Sequence, residues 1–311
     1  MRSRRTRNRP SFQPVARSLF ISLLLSAAAL TADSPVLGAD KPKENAENSG
    51  APDVSYPLDG FLDQCLDQPN HGSTASQVEC TNQAAQRWDQ EMNQDYQRLT
   101  SRLPPKAQAL LQNAQRFWLR YRNADQLLID AAYELTKGTM YVPMQAYSHL
   151  RLIRERSLAL KSYFTVLTNQ NARKDLSRAG AEKEDPENSG SSDIGYPLDD
   201  ALDHCLDQHH LPSEQASCVE DASVRWDEAM NVVYQKLIER LPSPSTLVEA
   251  QRAWITFRDA EYPLIDSVYE KLPLEQYRPL HAYSRLRITR ERTLLLKKYL
   301  TLASLSLSSN Q

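Results

Sequence analysis

Glycine is scarce in this sequence, with only eight residues in 311. Accordingly there is no glycine-rich loop of the kind that cradles phosphate groups, and neither a G-x-S-x-G nor an H-E-x-x-H motif is present. Carboxylates are plentiful, but on helices their spacing alone does not identify an acid/base pair. These absences predict that the protein is not an enzyme. A glycosidase built on two carboxylates stays open as the catalytic alternative.

The first 32 residues contain no acidic residue and predict an export signal. Six arginines precede an apolar run from Leu19 to Leu30, and small residues follow that run. This order is typical of a secretory signal peptide. The run is shorter than the roughly 20 apolar residues of a transmembrane helix. We therefore expect residues 1–32 to act as a signal peptide, cleaved after Ala29, Ala32 or Ala39, leaving a periplasmic or secreted protein without a transmembrane segment.

The mature chain is predicted to be acidic. Without the six arginines of the signal, 31 basic residues face 39 acidic residues, a formal charge of −8. This charge disfavours nucleic acid as a partner, because phosphate binding needs clustered positive charge. It is compatible with a cationic partner.

Most of the mature chain is an internal duplication. YPLD at Tyr56–Asp59 recurs at Tyr196–Asp199, an offset of 140 residues that falls to 138 and then to 136 further along the chain. All four tryptophans and all four cysteines pair up across the two copies. We predict helical repeats over residues 55–168 and 195–303. Residues 33–54 and 169–194 are polar and predict flexible linkers, and residues 304–311 predict a polar tail.

Apolar residues within each repeat follow a helical period and predict four helices. Pro57 suits the first turn of helix 1, and Thr74 with Gln77 forms a plausible capping box for helix 2. Pro263 should kink or break helix 3 of repeat 2. Helix 4 is expected from about Met144 to Leu167, and from Pro279 to about Leu302 in repeat 2.

Each repeat contains two cysteines, and disulfides Cys65–Cys80 and Cys205–Cys218 are the simplest of the three connectivities for an exported protein. The fold class predicted is therefore all-α, with two tandem four-helix units, each pinned by one disulfide, joined by a flexible linker. A metal site is the alternative, since three histidines lie near Cys205. Its spacing matches no zinc pattern, and repeat 1 offers only Gln64, Pro69 and Asn70 there. We predict neither a metal nor a cofactor.

The densest shared motif is Ala-Gln-Arg-x-Trp-x-x-x-Arg, at residues 114–122 and 250–258. Its glutamine, tryptophan and last arginine share a helix face, and an acid follows that arginine at i+3. The candidate residues are Gln115, Trp118, Arg122 and Asp125, and Gln251, Trp254, Arg258, Asp259 and Glu261. They form either a recognition surface, since tryptophan and arginine dominate binding hot spots, or a core tryptophan beside an internal arginine–acid pair. Their presence in both copies favours the second interpretation.

Charge is unevenly distributed within repeat 2. Residues 199–228 hold nine acids and one arginine, whereas residues 278–298 hold seven bases and one glutamate. These segments either neutralise each other inside one bundle or form two charged surfaces. An acidic surface for a cationic target is better supported in repeat 2 than in repeat 1, where the asymmetry is weaker.

The order of these motifs resembles the LprI-type lysozyme-inhibitor domain of bacterial envelope proteins. The residues that carry the resemblance are Cys65, Cys80, Asp89–Asn93, Tyr96, Ala114–Arg116, Trp118, Arg122 and Arg154–Arg156, with Trp226–Asn231, Tyr234, Ala250–Glu261 and Thr289–Arg292 in repeat 2. It implies a protein that binds lysozyme and blocks it. A non-inhibitory bivalent scaffold is the alternative, and neither motif nor spacing predicts the oligomeric state.

The sequence departs from the resembled family at one point. The typical domain has a second cysteine pair, and its positions here hold Gln126 with His149, and Tyr262 with Arg285. Both partners are replaced in both copies, as expected for a lost disulfide. We therefore expect packing alone to join helix 3 to helix 4.

Overall fold

A computed structural model describes residues 56–168, 197–270 and 272–308. The predicted signal peptide, both predicted linkers and the last three residues lie outside these ranges. The described residues form eight helices and no strand. The helices are α1 (Pro57–Leu66), α2 (Thr74–Arg102), α3 (Pro105–Tyr133), α4 (Tyr141–Thr168), α5 (Pro197–Gln208), α6 (Pro212–Arg240), α7 (Ser245–Tyr269) and α8 (Leu274–Ser308). Each repeat therefore contributes four helices, which confirms the predicted fold class.

Local details of three helices differ from the predictions. Ser73, rather than Thr74, caps α2, because its Oγ accepts a hydrogen bond from the backbone N–H of Ser76 at 3.1 Å. Helix α7 continues through Pro263, and α8 begins five residues before Pro279. Helix α8 also extends to Ser308, into the segment predicted as a tail. Tertiary packing thus overrides the breaking tendency of proline.

The third helix of each repeat packs mainly against the other repeat. Helix α2 packs along α4, and α6 packs along α8, whereas α3 and α7 pack along each other. Helices α3 and α4 of the same repeat, like α7 and α8, contact each other much less. The two four-helix units are consequently interlocked through their third helices.

The buried apolar residues form one shared centre and two end clusters. The central cluster draws on both repeats and contains Trp118, Trp254, Tyr163 and Tyr299, each at most 2% exposed. The end cluster of repeat 1 surrounds Trp88 and the Cys65–Cys80 bridge, and that of repeat 2 surrounds Trp226 and Cys218. Only the end clusters therefore belong to one repeat alone.

Polar contacts, in addition to packing, join the third and fourth helices, which corrects the expectation from the missing cysteines. In repeat 1, Asp130 accepts a hydrogen bond from Gln145 at 2.8 Å and lies 3.0 Å from His149. In repeat 2, the equivalent Asp266 lies 2.8 Å from both His281 and Arg285. The guanidinium of Arg285 also lies 4.2 Å from the ring centre of Tyr262.

Disulfides Cys65–Cys80 and Cys205–Cys218 join the first helix of each repeat to the second, as predicted. They span 15 and 13 residues. Each bridge ties a short helix onto a long one in a small end cluster. Besides its cysteine, each short helix contributes three apolar side chains to its end cluster, namely Leu58, Phe61 and Leu62 of α1 and Leu198, Leu202 and Leu206 of α5.

Replacing Cys65 and Cys80 together by alanine should lower the free energy of unfolding by about 3 kcal/mol, because the denatured chain regains the entropy of an open loop. Urea denaturation followed by circular dichroism measures this change. The same double replacement at Cys205 and Cys218 is the matched control and should cost a similar amount. A loss below about 1 kcal/mol in both variants would contradict an anchoring role for the bridges.

Candidate functional site

The shared motif of each repeat lies on α3 or α7, at the junction between the repeats. Trp118 and Trp254 are 2% and 1% exposed, so both tryptophans belong to the core. In the same cluster, the rings of Tyr121 and Phe257 stack with centres 5.7 Å apart and an interplanar angle of 5°. These two rings occupy equivalent positions, which places them near an approximate two-fold axis relating the copies.

Two reciprocal ion pairs cross this junction. Arg156 of α4 binds Glu261 of α7 at 2.6 Å, and Arg292 of α8 binds Asp125 of α3. All four side chains are at most 1% exposed. The last arginine of each closing Arg-Glu-Arg segment is therefore neutralised by an acid of the opposite repeat.

Each of these arginines is also held by its own repeat. Gln115 Oε1 accepts a hydrogen bond from Arg156 Nε at 2.9 Å, and Gln251 Oε1 accepts one from Arg292 Nε at 2.9 Å. The hydroxyl of Tyr299 donates to the second carboxylate oxygen of Asp125 at 3.0 Å. Burial raises the pKa of Tyr299 well above its ordinary value, and the Asp125 carboxylate adds to that increase. The hydroxyl is therefore a stable hydrogen-bond donor.

A third contact between the repeats joins Arg151 to Glu291 at 2.7 Å. Arg290 binds the other oxygen of the same carboxylate at 2.8 Å. Burial alone would raise the pKa of Glu291, but Arg151 and Arg290 outweigh it and hold the pKa below 4.5. Because the folded-state pKa is lowered, this carboxylate stabilises the fold at neutral pH, and its contribution is lost as the pH falls through that lowered pKa.

The last arginine of each motif does not bind the acid expected from helical spacing. Arg122 donates to Asn123, and Arg258 donates to Asp259 at 3.0 Å. Their guanidinium carbons lie 5.4 and 5.1 Å from the ring centres of Trp118 and Trp254, respectively. The prediction that they pair with Asp125 and Glu261 was therefore wrong. Those acids face the junction, whereas both arginines are partly exposed on its outer side.

One internal charge contact links the first and last helices of each repeat. Arg154 binds Asp59 through two nitrogens at 2.8 and 2.9 Å, and Arg290 binds Asp199 in the same way. The acidic front and the basic last helix therefore neutralise each other at these pairs, and in repeat 1 Lys161 also lies 3.7 Å from Glu91. Most of the other front acids of repeat 2 remain exposed.

A histidine contacts each disulfide. His71 Nδ1 lies 2.7 Å from the carbonyl oxygen of Cys65, and His209 Nδ1 lies 2.8 Å from that of Cys205. His71 was not among the predicted candidates, because the offset of 140 residues between the first cysteines aligns His209 with Pro69. The sulfurs of these Cys–His–Cys groups are bonded to each other and are not available as thiolate ligands.

The most informative residues missed at the sequence level are Arg156 and Arg292. Both were visible as the ends of repeated Arg-Glu-Arg segments, yet nothing in the sequence indicated that their acidic partners lie in the other copy. Because Asp125 and Glu261 are engaged in these ion pairs, the junction holds the two repeats together.

Fold and junction together define an all-helical, disulfide-pinned domain that has been duplicated and interlocked with its copy. The lysozyme inhibitor LprI family model matches residues 65–160 and 205–296. The chain belongs to this family, with one family domain in each repeat.

Among solved structures, the chain is similar to an uncharacterised protein from Burkholderia thailandensis. The two are 28% identical, with a TM-score of 0.55 over 80% of this chain and 98% of that one. No curated protein matches the chain. Within its described part, no helix is long and apolar enough to cross a membrane.

Proposed function

We propose that this protein is a non-enzymatic, periplasmic or secreted inhibitor that binds a cationic lysozyme through the outer face of α6. Family membership supports lysozyme as the partner. The arginine-rich start of the sequence supports export. The observation that carries the choice of surface is a difference between the repeats on the solvent-facing side of the second helix.

The outer face of α6 is acidic and partly apolar. Between Glu214 and Val232 it exposes four acids and one arginine, together with two valines that are 59% and 54% exposed. These residues are Glu214, Glu220, Asp221 and Glu228, then Arg225, and finally Val224 and Val232. Their spacing of three, four and seven residues places them on one side of the helix. We call this surface the acidic face.

Between Ser76 and Gln94, the equivalent face of α2 in repeat 1 is polar and has no net charge, because Glu79 and Arg87 are its exposed charged residues. Ser76, Asn82, Gln83 and Gln90 take the places of the four acids, and Gln86 and Gln94 take those of the valines. Helices α2 and α6 have the same place in the fold of their repeats. Packing of the core therefore does not require these differences between their outer faces. Exposed valines among acids give a partner both apolar area and charge complementarity.

The interlocked core makes the bivalent scaffold the weaker alternative. Avidity requires two sites that can bind independently, but the repeats share their central core. The acidic face, moreover, occurs in only one repeat. We therefore infer a single binding surface per chain.

An inhibition assay with the purified mature protein and a lysozyme of positive net charge tests the proposal. The Glu220→Asn, Asp221→Gln and Glu228→Gln variant introduces the residues of repeat 1. At low salt it should raise the inhibition constant about tenfold or more, mainly by slowing association. The difference from the unmodified protein should shrink at high salt.

The matched control neutralises three exposed acids elsewhere, as Glu79→Gln, Glu134→Gln and Glu270→Gln. It changes the net charge by the same amount and should leave inhibition within about twofold of the unmodified protein. Equal losses in both variants would show a non-specific charge effect. Absence of inhibition by the unmodified protein at micromolar concentration would refute the inhibitor proposal itself.

A further inference from the structure

A cavity of about 90 Å³ lies between the repeats, beside the Arg156–Glu261 ion pair. Its apolar walls include Trp118, Trp254, Phe257 and Ala159. About 10–15 Å³ is enough for one water molecule, so the cavity can admit a ligand of several non-hydrogen atoms. Mostly apolar walls with a few polar groups are typical of small-molecule sites.

Two differences between the repeats coincide at this cavity. Phe257 occupies the position of Tyr121 and lacks its hydroxyl, and Ala159 occupies the position of Leu295 and is smaller. Both substitutions fall on the side of the junction that contains Arg156. They leave space there and remove a polar group that the other side retains.

The Arg156 guanidinium is incompletely satisfied. Its Nε donates to Gln115 and its Nη1 to Glu261, but Nη2 is buried and has no hydrogen-bond partner among the described residues. The ring that faces this guanidinium is that of Phe257, at 5.4 Å. Arg292 Nη2 is likewise buried without a hydrogen-bond partner among the described residues, but that guanidinium lies at the same distance from the ring of Tyr121, which bears a hydroxyl. A buried charged donor without a partner is unfavourable and favours an acceptor ligand.

We infer that this cavity binds a small carboxylate, with its oxygens on Arg156 Nη2 and its short alkyl part against the aromatic walls. Charge-assisted hydrogen bonds from guanidinium to carboxylate are stronger than bonds to neutral acceptors. The lining holds four arginines and three glutamates, so it does not repel an anion. The site is distinct from the acidic face of α6, and the inference does not depend on lysozyme binding.

Thermal unfolding of the full mature chain with acetate or propionate, at ionic strength held constant with chloride, tests this inference. The melting temperature should rise with ligand concentration and saturate, by about 5 °C or more at a hundredfold excess over Kd. Propionamide has nearly the same shape but no charge and should have little effect. Equal stabilisation by the amide, or no stabilisation by either carboxylate, would overturn the assignment.

Two variants introduce, at a position of the cavity, the residue that the other repeat has at the equivalent position. Ala159→Leu fills the cavity and should abolish the carboxylate-dependent shift, and Phe257→Tyr adds a hydroxyl to the cavity wall and should weaken it, while the protein stays folded. Ala109→Leu, at an exposed position of α3, is the control and should keep the shift. An undiminished shift in both cavity variants would place the anion elsewhere. Lysozyme inhibition should be unchanged in Ala159→Leu, which separates this test from that of the proposed function.

Discussion

Residues 56–168 and 197–308, produced as separate chains with their disulfides intact, should each fail to form a stable folded monomer. Alone, each would expose its half of the central core and leave a buried arginine without its acid. Breaking such a buried pair by removing one partner costs about 3–5 kcal/mol. That loss is comparable with much of the stability of a typical domain.

Mixing the two chains should restore a one-to-one complex with native-like near-UV circular dichroism. Light scattering after size-exclusion chromatography gives the stoichiometry, and thermal unfolding of the mixture gives the recovered stability. As a control, the intact chain cleaved at a protease site inserted within residues 169–194 should remain associated after cleavage. Two separate monomers that each unfold cooperatively would contradict the interlocked fold.

The second large effect is expected at the crossed ion pairs. Glu261→Gln removes the charge that neutralises Arg156 in a site where neither side chain is more than 1% exposed. The free energy of unfolding should fall by about 3–5 kcal/mol, because a buried guanidinium loses its counter-charge. Asp125→Asn should act in the same way on Arg292. Unfolding in guanidinium chloride, monitored by tryptophan fluorescence, measures the loss of unfolding free energy in both variants.

A double-mutant cycle separates the ion pair from simple disruption of the core. Arg156→Met combined with Glu261→Met should be markedly more stable than the sum of the single losses predicts, since apolar residues can replace a buried pair. The exposed pair Arg252–Glu249 is the control, with side chains 72% and 68% exposed, and its cycle should give less than about 0.5 kcal/mol. Additive losses at Arg156 and Glu261 would show that the two side chains are not coupled.

The loop between the two cysteines of each repeat illustrates a limit of comparing repeats by offset alone. His71 and His209 stand at different distances after the first cysteine of their repeats, yet both reach the bridge. A side chain can meet the same group from different sequence registers when the loop adjusts. Alignment of the copies therefore underestimates their similarity in three dimensions.

Proline placement shows the same limit for secondary structure. Pro263 was expected to kink or break its helix, but α7 continues through it. The flanking residues Leu264 and Ile265 are fully buried in the central core. Their burial favours the helical path and offsets the backbone hydrogen bond that proline removes.

The amino-acid sequence by itself determined the helical class, the duplication and the disulfide pairs, because these follow from local periodicity, from self-similarity and from cysteine pairing within each repeat. The family followed from the same motifs. Only the tertiary structure decided that the repeats share one core and that Arg156 and Arg292 bind acids of the opposite copy. The physical reason is that sequence spacing describes neighbours on one helix, whereas a charge buried between helices binds whichever acid the packing brings to it. Two equivalent acids were available to each arginine, and the association of α3 with α7 selected the one in the other repeat.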